Sequence, residues 1–195
     1  VSVGADELAA HLAAAGERRG TAVLIVRTGS RGLYFLEPFF ELATPAGRLG
    51  FRPGADMAGD VAALFDAGFP SDDPRSLGLV EAHPWLRRQE RVTFARCGVT
   101  DPLSLEDYRA HGGFVGLGRA LALPPTAIVE EVAESGLRGR GGAGFPAGIK
   151  WRTVREAEGD AKYVCCNADE GDSGTFADRM LMEGDPFLLI EGMTI

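Results

Sequence analysis

The sequence predicts an α/β chain built in two parts. Apolar stripes at helical spacing alternate with short β-branched runs between residues 5 and 68. A charged stretch punctuated by Pro and Gly, residues 69–100, then interrupts the pattern. Beyond it, three short helical patterns and a glycine run lead to one further strand-like run.

In chain order, "ADELAAHLAAAGERR" (5–19) puts Leu8, Leu12 and Ala15 on one stripe and reads as an amphipathic helix. "TAVLIVR" (21–27) is β-branched and reads as a buried strand. "GLYFLEPFFELATPAGRLGF" (32–51) reads as two strands joined at Pro45-Ala46-Gly47. "GDVAALFDAG" (59–68) reads as a helix closed by Gly68. The order α-β-β-β-α suggests a small domain whose first strand lies upstream. The boundary falls near residues 71–85, which gives a domain over 1–75, a linker over 76–100 and a second domain over 101–195.

In the second part, Ser104 stands three residues before Asp107 and reads as an N-cap. Gly112-Gly113 ends that helix, and "FVGLGRALAL" is a second one stopped by Pro124-Pro125. "PPTAIVEEVAESG" is a third, with Pro in its first turn, Gly136 past its end and Ile128, Val129 and Val132 as its apolar stripe. "KYVCCN" (162–167) reads as the strand of this half.

Of the 195 residues, 45% are apolar and 25% charged, with a net charge of −8. That charge argues against sequence-independent nucleic-acid binding, which needs a basic face. No apolar run approaches the ~20 residues that span a bilayer. No signal peptide opens the chain, so a cytoplasmic location is expected. Cys97, Cys165 and Cys166 are odd in number and irregular in spacing, and predict neither a disulfide framework nor a metal site. The chain opens at Val1 without Met and stops at "IEGMTI", as a fragment of a longer protein would.

Gly139-Arg140-Gly141-Gly142-Ala143-Gly144 matches GxGxxG. A dinucleotide-binding Rossmann turn needs a strand before it and a helix after it. Here a helix precedes, so that reading fails. The run can still cradle an anion. Glycines let backbone N–H groups approach a ligand closely. Arg138, Arg140 and Lys150 bring positive charge, and Phe145 offers a flat face for stacking. The competing reading is a surface loop with incidental basic residues.

"CCNADEGDSGTFADR" (165–179) crowds Asn167, Asp169, Glu170 and Asp172 into six positions just after the expected strand. Ligands gather at strand ends in α/β proteins, and carboxylates there accept from sugar hydroxyls. The alternatives are a solvated acidic turn or a cation site, although the spacing is not that of an EF-hand.

Taken together, "SGLRGRGGAGFPAGIKW" and "NADEGDSGTFADR…LLIEGM" resemble the flavin- and NADH-binding subunit of the complex I family over residues 101–195. The resemblance implies the start of that family's FMN-binding α/β domain. It implies FMN contacts from Gly139, Arg140, Gly141, Gly142, Lys150, Asn167, Asp169 and Glu170. It implies NAD contacts from Gly139, Gly142, Gly144, Phe145, Gly148 and Asp172, with Phe145 stacking on the dinucleotide. Family members carry Glu-Pro where this chain has Asp172-Ser173, and often Thr where it has Ala147. Cys166 would lie near the flavin without ligating a cluster.

The first half resembles the thioredoxin-like ferredoxin domain that accompanies this family, through "TGSRGLYFLEPFFELATPAGRLGF" (28–51). A cluster-binding C-x3-C pair would fall at Ser30 and Tyr34, so the domain is expected to hold no [2Fe–2S] cluster. A fused, cluster-free domain is most similar to the beta (diaphorase) subunit of NAD-dependent, molybdenum-containing formate dehydrogenase. The diaphorases of NAD-reducing hydrogenase and of NADH-quinone oxidoreductase come next.

The resemblance implies hydride transfer between NAD(H) and FMN, with no catalytic side chain and no metal ligand in this chain. A [4Fe–4S] cluster is expected in a missing C-terminal part. The implied partners are an iron–sulfur thioredoxin-like small subunit and a molybdenum-containing large subunit. A non-catalytic thioredoxin-like docking module is the competing class.

Overall fold

A computed structural model describes residues 3–195. It mixes helices with one small sheet, as an α/β pattern requires, in two compact units, Val1–Asp101 and Pro102–Ile195.

In the first unit, α1 (Ala5–Arg18) buries Leu8, Leu12 and Ala15, the stripe read from the sequence. α2 (Met57–Ala67) starts at Asp56, whose carboxylate accepts from the Gly59 amide at 3.0 Å. It ends at Gly68, which is left-handed at φ 74°, a conformation that glycine adopts without strain. α1 packs on α2, and Leu8, Leu12, Ala15 and Val61 form one apolar cluster.

β1 (Phe40–Thr44) and β2 (Gly47–Phe51) form the expected hairpin, antiparallel with Leu42 opposite Leu49. Phe51 and Leu64 are fully buried where the sheet meets α2, with Phe40 stacked on Phe51 at 5.5 Å.

Two expectations fail here. Thr21–Arg27 is not a buried strand. It is irregular and exposed, Leu24 being 90% exposed, and only Ile25 packs on the α1–α2 cluster. A β-branched run becomes a strand only where a neighbour completes its ladder, and none pairs with it among the described residues. The third strand lies instead at β3 (Ser76–Leu79), antiparallel to β2, within the stretch expected as a linker.

Residues 76–100 as a whole fold onto this unit. Val80 and Leu86 pack with Leu33, and Cys97 is buried. Arg48 donates to the Val99 carbonyl at 2.8 Å. Arg75 ties the entry of β3 to α2 through Asp60, at 3.1 Å. Arg31, only 6% exposed, donates to both Glu41 carboxylate oxygens at 2.7 Å and to Glu81 at 3.1 Å. Burial disfavours its charge, but the hydrogen bonds and attraction of Glu41 and Glu81 prevail and raise its pKa. Gly98 covers this pair at φ 76°. A Cβ there would meet the Arg31 Cγ at 2.3 Å.

The second unit holds α3 (Leu105–Ala110), α4 (Val115–Ala120), α5 (Pro125–Glu134), α6 (Ala147–Glu156), α7 (Ala177–Gly184) and α8 (Pro186–Thr194). Ser104 caps α3 by accepting from the Asp107 amide at 3.1 Å. Lys162–Asn167, expected as a strand, is irregular and exposed, and no strand pairs with it among the described residues.

Glu191 of α8 ties α8 to α4 and to Tyr108 of α3. Its carboxylate is 6% exposed and accepts from the Phe114 amide at 2.7 Å, the Leu117 amide at 2.8 Å and the Tyr108 hydroxyl. It thereby caps α4 from another helix, supplying acceptors that α4 lacks in its own sequence. The Tyr108 ring is buried against Phe114 and Phe187.

Candidate functional site

The glycine loop runs from the end of α5 to the start of α6. Leu137–Gly139 and Phe145–Ala147 pair as a short antiparallel neck. The Gly139 amide donates to the Phe145 carbonyl at 2.9 Å, and the Ala147 amide to the Leu137 carbonyl at 2.8 Å. Arg138 adds a third tie across the neck, donating to the Gly144 carbonyl at 2.8 Å. Of the loop's basic side chains, Arg138 therefore braces the loop.

Gly142 and Gly144 take positive φ, 102° and 60°. Added Cβ atoms at Gly141, Gly142 and Gly144 would stand in open space. No packing of this chain therefore requires glycine there, and the bare backbone is open to a close approach from outside. Gly148 differs. It is buried, and a Cβ there would meet the Ala133 backbone at 2.4 Å, so it sets the close approach of α5 and α6.

Phe145 is 46% exposed, and the Lys150 ammonium lies 5.7 Å from its ring centroid. A flat apolar face and a positive point charge thus meet beside the glycine loop. α6 starts at the same place, its dipole favouring negative charge. Arg140 is exposed on the loop.

Asn167, Asp169, Glu170 and Asp172 fall in an acidic turn ahead of α7. The Asn167 side-chain oxygen accepts from the Asp169 amide at 3.0 Å and closes a local turn. Glu170 is left-handed at φ 48° and turns its carboxylate onto the start of α7. It accepts from the Asp178 and Arg179 amides at 3.2 Å and from the Thr175 hydroxyl at 3.1 Å. Burial pushes its pKa up, but bonds from the Arg179 and Asp178 amides, the Thr175 hydroxyl and the Ala177 amide outweigh that and lower it. The Asp172 carbonyl accepts from the Thr175 hydroxyl at 2.8 Å.

Sequence and structure agree that a helix precedes the glycine loop, which removes the Rossmann turn. Phe145 and Lys150 come together as a pair. No hydrogen bond or ion pair joins the glycine loop to the acidic turn among the described residues. Sequence reasoning missed Glu191 as the cap of α4 and Glu170 as the cap of α7. A lone carboxylate in the apolar run Phe187–Met193 was the available signal for the first. Among the described residues, no cluster of ligating side chains could hold a metal ion, and no helix is long and apolar enough to cross a membrane.

The glycine loop can receive an anion and a ring together. FMN and NAD both carry phosphate and planar rings: Arg140, Lys150 and the open glycines fit a phosphate, and the exposed Phe145 face fits a planar ring.

Comparison with known proteins bears on the same segment. Residues 132–195 match the family model of the Nuo51 FMN-binding domain. The NADP-reducing hydrogenase subunit HndC of Solidesulfovibrio fructosivorans is 49% identical over 109 residues, covering 56% of this chain and 22% of that protein. An NADH-quinone oxidoreductase subunit of Rhizobium meliloti is 53% identical over 107 residues, covering 54% of this chain and 25% of that protein. The alpha subunit of the NAD-reducing hydrogenase HoxS of Cupriavidus necator is 43% identical over 130 residues, covering 66% of this chain and 19% of that protein. The chain thus spans a quarter or less of the length of these relatives. Over residues 132–195, which hold the glycine loop and the acidic turn, the chain is similar to the Nuo51 FMN-binding domain.

Proposed function

We propose that this chain is part of an NADH- and FMN-binding diaphorase subunit of a complex I-type oxidoreductase. The observation that carries the reading is the meeting of Phe145 and Lys150 beside an open glycine loop, inside the segment similar to an FMN-binding domain. Bound FMN would supply hydride exchange with the nicotinamide and one-electron exchange with iron–sulfur clusters.

The residues of this chain bind and orient. Gly139, Gly141 and Gly142 bring backbone to the FMN phosphate, and Arg140 and Lys150 neutralise it. Asn167, Asp169 and Glu170 face the ribityl and ring atoms. Phe145 stacks on the NAD, with Gly144, Gly148 and Asp172 beside it. Glu170 and Gly148 also have structural duties, capping α7 and setting the α5–α6 contact.

We read the first unit as a thioredoxin-like domain without cluster thiols. Its hairpin leads into α2, the Ser30 hydroxyl donates to Glu37 at 2.5 Å, and Tyr34 sits in a 3-10 turn, Tyr34–Leu36. A fused, cluster-free domain favours the beta subunit of a formate dehydrogenase, working with an iron–sulfur small subunit and a molybdenum-containing large subunit. A [4Fe–4S] cluster would sit in the remainder of the subunit.

A hydrogenase diaphorase is the second reading. The HoxS alpha subunit matches 66% of this chain, more than the second unit alone can supply, so the likeness extends into the first unit.

Lys150→Ala in the full-length protein tests the site. FMN content after purification is expected to fall at least about tenfold, as loss of a charged phosphate contact would cause. Unchanged flavin content would remove Lys150 from the FMN site.

A further inference from the structure

The first unit carries an exposed aromatic face that the flavin reading does not use. Phe35 is 59% and Trp85 56% exposed, and their rings meet edge to face at 6.0 Å. His83 is tilted against Phe35 at 6.3 Å. These rings and Arg88 line an open depression of about 370 Å³. Tyr34, adjoining Phe35, is 42% exposed.

The rings are fixed from below. Leu33 and Leu86 are buried together against Val80, so each segment sets a leucine inward and its neighbouring ring outward. The Leu36 amide donates to the Leu33 carbonyl at 2.8 Å, and the Arg87 amide to the His83 carbonyl at 3.0 Å. The Trp85 amide donates to His83 Nδ1 at 3.3 Å. Such anchoring lowers the entropy that binding must overcome.

One of the two segments that form this face is basic, against the charge of the whole molecule. The chain carries a net −8, yet residues 83–94 hold Arg87, Arg88 and Arg91 against the single carboxylate Glu90. Arg87 and Arg88 are exposed beside Trp85. Exposed Trp, Tyr and Arg on an ordered backbone are the residue types that dominate protein interfaces. The depression is too open to enclose a small ligand, and the net charge disfavours a nucleic acid.

We propose that this face docks a partner protein through an acidic segment bearing an apolar anchor. The anchor enters between Phe35 and Trp85, and the carboxylates pair with Arg87 and Arg88. The proposal rests on the flavoprotein reading only in taking the partner to be a subunit of the same complex.

The test uses the full-length protein, alone and in the complex purified with its partner subunits. Hydroxyl-radical footprinting of Trp85 is expected to show at least fivefold lower reactivity in the complex. The double variant Arg87→Glu, Arg88→Glu is expected to weaken association at least tenfold at ~0.1 M salt while NADH still bleaches its flavin. Equal Trp85 reactivity in both states overturns the proposal, as does the absence of any associating subunit. Protection already present in the lone full-length protein also overturns it, because the protein's own chain then covers the face. Association indifferent to the charge reversal overturns the acidic character of the partner. Loss of bleaching in the wild-type protein would instead contradict the flavin reading, and so separates the two.

Discussion

Glu170 shows how one side chain in the candidate site serves two ends. Its carboxylate accepts from amides at the start of α7, and those bonds hold its pKa below the ordinary 4.5. A lowered carboxylate pKa means stability that is present above the unfolded value and lost as pH falls through the folded one. Acidification from pH 5 downward should therefore loosen residues 170–179 before the rest of the unit. The Asp178 and Arg179 amides should lose protection in that window, their exchange being read relative to the intrinsic rate at each pH, and in Glu170→Ala protection should be low at pH 7 as well. Wild-type protection of these amides that survives full protonation of the carboxylate would contradict the cap. Ser104 and Gly68 could be read from sequence because a cap and its partner lie within four residues of one another, whereas Asp56 was passed over, the helix being expected only from Gly59. Glu170 reaches amides eight and nine residues on, across a turn with no periodic pattern, so its duty was not legible.

At the scale of elements, close approach and buried polarity decide the second unit. Gly148→Ala would drive a Cβ to 2.4 Å from the Ala133 backbone, which a helix pair relieves only by separating. A loss of about 1–3 kcal/mol is expected, read from denaturant midpoints, and loop ligands should weaken with it. Glu191→Ala would leave the Phe114 and Leu117 amides without their acceptors in a partly buried place. That should cost about 2–4 kcal/mol, with Glu191→Gln milder because one acceptor oxygen remains. Equal stability of Glu191→Ala and wild type would remove its capping role.

The hairpin, α1, α2 and α5 were legible because their patterns are local: two-residue alternation around Pro45-Ala46, and apolar stripes ending at glycine. Thr21–Arg27 and Lys162–Asn167 were not. Their side chains suit strands, but a strand also needs a neighbour, which composition does not report. β3 was hidden for the converse reason. "SLGL" is short and contains a glycine at φ 70°, yet β2 pairs with it.

At the scale of the molecule, the chain divides into two compact units, the first extending to Asp101 across the stretch expected as a linker. The stretch 76–100 looked like a linker because it continues a segment, 69–100, whose first half is punctuated by Pro and Gly. Three of its apolar residues, Val80, Leu86 and Cys97, are nonetheless buried, and Arg48 and Arg75 tie its ends down. The glycine loop and acidic turn both belong to the second unit, and the further aromatic face to the first. The central claim is that the second unit contributes to an FMN site that exchanges hydride with NADH. The most direct measurement is an anaerobic titration of the full-length, flavin-loaded protein with NADH, followed by the flavin absorbance near 450 nm. The account predicts bleaching at stoichiometric NADH. Retained flavin colour with excess NADH, or a purified protein devoid of FMN, would contradict it.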